Sequence, residues 1–265
     1  MPTVSVVIPA MNEARNLEHV FARIPNDVYE VILVDGHSVD DTVEVARRLR
    51  PDVKVIHQNR RGKGNALACG FAACTGEIIV MLDADGSTDP AEIPEFVASL
   101  LAGADFAKGS RFAVGGCSHD ITPIRRLGNR ALNRLVNVLF GSGFTDLCYG
   151  YNAFWASCLP AFGLSVGEAG EAVWGDGFEI ETLMNVRIAR AGARIAEVPS
   201  VESRRLYGET NLNTIKDGWR VLRTIMREYR AEAPARLHRP VVLPTQRTSS
   251  SDLAAAAVTE QSVAS

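Results

Sequence analysis

Residues 78–87 read Ile-Ile-Val-Met-Leu-Asp-Ala-Asp-Gly-Ser. Five apolar residues in a row, too few for a helix and ended by acids and a glycine, spell a strand buried on both faces. Such strands belong to mostly parallel sheets covered by helices. In those sheets ligands bind beyond the carboxyl ends of the strands. Asp83 and Asp85 stand at that end. Two carboxylates two residues apart can share one hard cation. Mg²⁺ and Mn²⁺ take oxygen ligands, and Mg²⁺ is usually shared with substrate phosphates. Asp-x-Asp also occurs as a pair of solvated turn acids, so its place after a buried strand carries the reading.

The flanking sequence repeats the arrangement. Residues 4–8 form a β-branched run closed by Pro9, and residues 31–34 and 53–57 read as further strands. Between them, residues 16–24 place Leu17, Val20, Phe21 and Ile24 at helical spacing. A second helix, capped by Asp40 or Asp41, runs to Leu49 before Pro51. A third covers 66–74, with Gly76 beyond it. Asp89-Pro90 has the N-cap and first-turn residues of a fourth, and 104–107 is a weaker strand. Strands separated by single helices imply right-handed crossovers and an α/β fold. The second half reads as helices at 124–140, 178–191 and 212–230, with short strands at 194–198 and 201–205 around Pro199. From Glu232 the sequence is rich in Pro, Ser and Ala, with no aromatic after Tyr229, so residues 232–265 are expected to be a disordered tail.

Composition narrows the class. Apolar residues at 46% and charged residues at 22% suit a globular chain, and a net charge of −3 offers no field for nucleic acid. Five cysteines without Cys-x-x-Cys spacing argue against a disulfide framework or structural zinc. Neither Gly-x-Gly-x-x-Gly nor a P-loop follows the first strand. No basic leader and no run of ~18–20 apolar residues is present, so a cytoplasmic protein that meets a membrane only from one side is expected.

Other polar residues cluster at strand ends. Pro9, Asn12 and Glu13 follow the first strand, and Asp35 follows the second. Asp35 could bond a ribose hydroxyl or a base edge, whereas Asn12 and Glu13 could simply begin a helix. After the third strand comes Asn-Arg-Arg-Gly-Lys-Gly-Asn at 59–65, where Lys63 lies between glycines at a helix start. That geometry suits a nucleotide's phosphates and equally a flexible polar turn.

The series Val-Val-Ile-Pro-x-x-Asn-Glu (6–13), Val-Asp-Gly-x-Ser-x-Asp-x-Thr (34–42), Gly-Lys-Gly-x-Ala (62–66) and Asp-Ala-Asp-Gly-Ser (83–87) resembles glycosyltransferase family 2. It is most similar to the dolichol-phosphate mannosyltransferase and bacterial polyprenyl-phosphate glycosyltransferase branch. The resemblance spans residues 3–215. It implies a GT-A fold over 1–231, with a nucleotide-sugar-binding half at 1–112 and an acceptor half at 113–231. It also implies a nucleotide-sugar donor, a divalent cation (Mg²⁺ or Mn²⁺) and inversion at the anomeric carbon. Pro9, Asn12, Glu13, Asp35 and Lys63 would bind the nucleotide sugar, and Asp83 and Asp85 would hold the metal. Ser110-Arg111-Phe112 resembles a Ser-Arg-Tyr segment whose arginine lies near the phosphates, and a further arginine corresponds to Arg125 or Arg126. Phe178-Glu179-Ile180-Glu181 resembles a Phe-x-x-Glu helix. Residues 207–212 resemble a loop that carries lysine where this chain has Asn211.

Catalytic roles follow for Asp85, Arg111, Arg126 and Glu181. Charge on the departing diphosphate would be met by the metal and arginines. A hydroxyl acceptor needs a carboxylate base, with Glu181 favoured over Asp176 and Glu179. A phosphate monoester, with second pKa near ~6, needs arginines instead. The arginines at 111, 125, 126, 204 and 205 favour polyprenyl phosphate. A hydroxyl acceptor is the alternative, ahead of a sugar nucleotidyltransferase or a non-catalytic binding module. On 212–230, Leu212, Ile215, Trp219, Leu222, Met226 and Tyr229 form an apolar stripe, edged by Arg220, Arg223, Arg227 and Arg230. This is a core-packing helix or a peripheral contact with the inner face of a membrane.

Overall fold

The computed structural model describes residues 1–208, 214–234 and 236–237. Residues 209–213, which include Asn211, and residues 238–265, most of the expected disordered tail, lie outside the described residues. In chain order the first elements are β1 Val4–Ala10, α1 Ala14–Ala22, β2 Glu30–Asp35, α2 Thr42–Leu49, β3 Lys54–His57, α3 Lys63–Ala73 and β4 Ile78–Met81. These continue into α4 Ile93–Leu101, β5 Phe106–Ser110, β6 Cys117–Ser118, α5 Pro123–Phe140 and β7 Asn152–Trp155. The last are α6 Leu159–Phe162, α7 Ile180–Arg190, β8 Ile195–Pro199, β9 Val201–Glu202 and α8 Thr214–Arg230.

Seven strands form one sheet in the order β3-β2-β1-β4-β7-β5-β8. The first four run parallel, as their apolar runs foretell, with Val7 opposite Ile32 and Met81. Alternation along β1 sends Val6 and Ile8 into the core under α1, α2 and α4, and Val7 into the core under α3, α6 and α7. Thr122 caps α5 through its hydroxyl, and Asp89 caps the turn before α4.

Three expectations are corrected. The sequence reading missed β7. It runs antiparallel between β4 and β5, and its partners on both edges supply the pairing that four residues could not advertise. The weak strand moves from 104–107 to Phe106–Ser110. On α8 the buried face is Asp217, Val221, Thr224, Ile225 and Glu228, not the stripe through Trp219, which is 67% exposed. Val221 and Ile225 pack with Val136 and Val186 of α5 and α7. Buried Glu228 is satisfied by Arg187 at 3.0 Å, so an acid occupies a core-facing position that hydropathy alone assigns to solvent.

Candidate active site

A cleft of about 1310 Å³ opens beyond the carboxyl ends of the strands. Pro9, His37, Gln58, Asp83 and Arg111 reach it from the ends of β1 to β5. The opposite wall is Glu181 of α7, Ile124, Arg125 and Leu132 of α5, and Val221 of α8.

Lys63 sits at the centre. Its Nζ lies 2.6 Å from Asp83 Oδ1 and 2.6 Å from Glu181 Oε1. Burial alone would lower its pKa, but the two carboxylates outweigh that and hold it above the ordinary lysine range. The glycines beside it serve packing more than a phosphate cradle. Gly62 has φ +123°, and a Cβ there would fall 2.0 Å from the Asp176 carbonyl oxygen; a Cβ on Gly64 would fall 1.8 Å from that of Gly175. The start of α3 is thereby seated against the 175–176 backbone, and Gly64 N–H donates to the Asp176 carbonyl at 2.7 Å.

Arg205 closes the other side of the acid pair, 3.1 Å from Asp85 Oδ2 and 2.8 Å from Glu13 Oε1. Desolvation raises the Glu13 pKa, opposed by Asn16 and Arg205. Asp85 Oδ1 accepts the Ser87 N–H at 2.9 Å. Asp83 and Asp85 both face the cleft, and among the described residues no third Asp, Glu, His or Cys completes a cage around them. Two oxygen donors with an open side fit an ion that fills its shell with phosphate and water.

Beneath the cleft lies a buried network. Arg111, 5% exposed, makes a two-pronged contact with Asp146 at 2.7 and 2.9 Å and reaches Glu202 at 2.9 Å. Burial raises the Asp146 pKa, but the hydrogen bonds and charge of Arg111, together with the charge of Lys108, outweigh it and hold the carboxyl below the usual range. Fully buried Lys108 donates to the Gly109 and Tyr149 carbonyls at 2.8 Å each. Desolvation brings it down to about 8, with Asp146 opposing.

Of the residues singled out in the sequence, Pro9, Glu13, Lys63, Asp83, Asp85, Arg111, Arg125 and Glu181 line the cleft. Asn12, Asp35 and Arg126 do not. Asn12 adopts φ +60° and accepts the Val39 N–H at 2.8 Å. Asp35 is 3% exposed and accepts the His37 N–H at 3.0 Å, with His57 Nδ1 at 3.2 Å. Both shape the loop after β2. Arg126 turns outward over the Phe112 ring, so Arg125 is the member of that doublet at the cleft. Asp176 and Glu179, the other candidate bases, pair with Arg60 at 2.8 Å and Arg220 at 3.4 Å. Sequence reasoning counted Arg205 only among the arginines that favour a phosphate acceptor, not as a partner of the acid pair, and left Asp146 out of the site. The Arg204-Arg205 doublet was a visible signal for the first, but nothing in the sequence marked the second.

The cleft lies at the strand ends of an α/β sheet, where such folds bind their ligands, and two acids face it. The profile of "Glycosyl transferase family 2" matches residues 5–159. The chain belongs to this family. It is 33% identical over 238 residues to glycosyltransferase AglD of Haloferax volcanii, covering 83% of this chain but 36% of that protein. It is 32% identical to the undecaprenyl-phosphate mannosyltransferase of Micrococcus luteus, covering 79% of this chain and 87% of the relative. Among solved structures, glucosyl-3-phosphoglycerate synthase from Mycobacterium tuberculosis, in complex with Mn²⁺, UDP-glucose and glycerol 3-phosphate, superposes with a TM-score of 0.66. Its identity is 25%, over 86% of this chain and 80% of that one.

Proposed function

We propose that this protein is an inverting glycosyltransferase that moves a hexose from a nucleotide sugar, of the GDP-mannose or UDP-glucose type, to polyprenyl phosphate. One observation carries the reading: a single cleft joins the acid pair, with its cations, to an apolar wall of Ile121, Ile124, Leu132 and Val221. A diphosphate suits the first part and a prenyl chain the second. The mannosyltransferase relative supports the lipid-phosphate acceptor, and the solved structure supports a UDP-sugar and Mn²⁺.

Asp83 and Asp85 would hold Mg²⁺ or Mn²⁺, which neutralises charge on the departing diphosphate. Lys63 and Arg205, already at the acid pair, would turn to the phosphate oxygens as these arrive. Arg125, at the mouth beside Ile124, would receive the acceptor phosphate, with the Arg111 network fixing the floor beneath it. Glu181 is paired with Lys63. That arrangement favours an acceptor already ionised at neutral pH over a hydroxyl that needs a free base. A lipid-borne acceptor places the enzyme at the inner face of a membrane, with 212–230 as an expected contact. Among the described residues no helix is long and apolar enough to cross one.

The test is thermal stabilisation by a panel of nucleotide sugars with and without Mn²⁺, followed by transfer to polyprenyl phosphate. A donor at a hundred times its Kd adds about 2.7 kcal/mol, a Tm rise of roughly 5–10 °C. Asp85→Ala and EDTA should each abolish it. Metal-dependent donor binding that survives Asp85→Ala would refute the assignment of the acids. Transfer only to hydroxyl acceptors would move the function to the second reading.

A further inference from the structure

Helices α5 and α8 leave an apolar face uncovered. On α5, Ile124, Leu127 and Val138 are 76%, 69% and 76% exposed, and Ala131 between them is exposed too. On α8, Trp219 and Tyr229 are 67% and 53% exposed, with Leu222 and Met226 partly so. The two helices run side by side in the same direction. The first turns of both reach the cleft, through Arg125 and Gly218, and at the far ends the Phe140 and Tyr229 rings meet at 6.1 Å. At 100° per residue, both apolar rows fall on the outer side of the pair, next to each other.

The charges are sorted as sharply. Arg126, Arg130 and Arg134 follow one another at four-residue spacing along α5, and Arg223, Arg227 and Arg230 run along α8; all six are exposed. On each helix this row lies on the flank away from the other helix. Among the described residues neither helix sets an exposed acid against them: α5 contains none, and Asp217 and Glu228 of α8 are 8% and 3% exposed. This occurs in a chain whose net charge is −3. An apolar centre with Trp and Tyr, bordered on both edges by arginine, matches a bilayer surface whose headgroups are anionic.

We propose that the outer face of α5 and α8 docks on an anionic lipid bilayer and presents the mouth of the cleft to the headgroup layer. Ile121 and Ile124 form the lip between the docked face and the cleft. A phosphate carried on a lipid would enter there without leaving the membrane. This last step rests on the polyprenyl-phosphate reading, whereas the docking itself does not.

The full chain is mixed with acceptor-free vesicles, either of phosphatidylcholine alone or of phosphatidylcholine with phosphatidylglycerol, and floated through a density gradient. Flotation is expected with the anionic vesicles only, and is lost at high salt. Leu127→Glu with Val138→Glu should abolish it, as should Trp219→Glu. Arg130→Gln with Arg134→Gln should weaken binding on the order of tenfold or more. Thermal melting and transfer to a water-soluble short-chain prenyl phosphate should stay unchanged in these variants, which separates docking from folding. Failure of the unaltered chain to float with anionic vesicles, or wild-type flotation of the glutamate variants, overturns the proposal even if transfer proceeds. Flotation without transfer to any prenyl phosphate upholds the docking face and refutes the acceptor reading instead.

Discussion

Lys63→Met should make the stability of this protein depend on a divalent cation. Methionine keeps the unbranched stem and deletes the charge. In the structure that charge lies 2.6 Å from both Asp83 and Glu181. The Glu181 side chain is 7% exposed and would be left in the wall without a cation. Removing one partner of a buried pair costs about 3–5 kcal/mol. Asp83, 31% exposed, adds little because water screens it. The low end, about 3 kcal/mol, is therefore expected, and a chain of this size loses roughly 6–12 °C in Tm for it. Mn²⁺ on Asp83 and Asp85 should restore part of the loss in the variant, since Asp83 then lacks its resident cation. In the wild type, Lys63 already neutralises Asp83, and Mn²⁺ without nucleotide should bind more weakly. Melting curves in EDTA and in Mn²⁺, with titration calorimetry of Mn²⁺ alone, measure both effects. A drop below about 2 °C, less than one kcal/mol on this scale, or stronger Mn²⁺ stabilisation of the wild type than of the variant, would refute the reasoning.

Asp146→Asn should cost about 3–5 kcal/mol in urea unfolding, because it strips buried Arg111 of its two-pronged partner. The folded-state pKa of Asp146 is depressed, so its contribution is complete above the unfolded value of 3.8 and lost as pH falls through the lower folded one. Lys108 has the opposite consequence. Its folded pKa of about 8 lies below the ordinary 10.5, so the unfolded chain binds more protons between those values. Measured against Lys108→Met, the wild type should gain up to about 3 kcal/mol as pH rises across that window; a flat difference would contradict it.

The parallel half of the sheet was legible because continuous apolar runs mean one thing at strand length. β7 was not, since its stability lies in the two strands it joins. Lys108 hid the second half of β5, read only as a weak strand at 104–107, by putting a charge where the pattern calls for an apolar residue. That charge is accommodated by the carbonyls of the adjacent Gly109 and of distant Tyr149, which accept from its Nζ, and by the nearby Asp146 carboxylate. At the site, Asp83, Asp85 and Lys63 were readable from strand ends and glycine spacing. The actual demand on Gly62 and Gly64 was not, because it comes from backbone more than a hundred residues away. Arg205 likewise acts through partners more than a hundred residues away and Asp146 through Arg111, 35 residues away, and no local pattern reports such pairings. On α8 the period was right and the face was wrong, because Glu228 finds Arg187 inside.

The position of β7 has a consequence for biosynthesis. β4 is complete at Met81, yet one of its edges has no neighbour until Asn152–Trp155 is available. β5 likewise joins the sheet only through β7 and β8. A nascent chain therefore carries a bare hydrophobic strand edge through synthesis of some seventy residues, several seconds at about 5–20 residues per second. Unpaired edges of this kind recruit other chains. Yield in a heterologous host should accordingly respond to chaperone supply and slower induction more than to surface substitutions, and truncation after residue 112 should give an insoluble fragment.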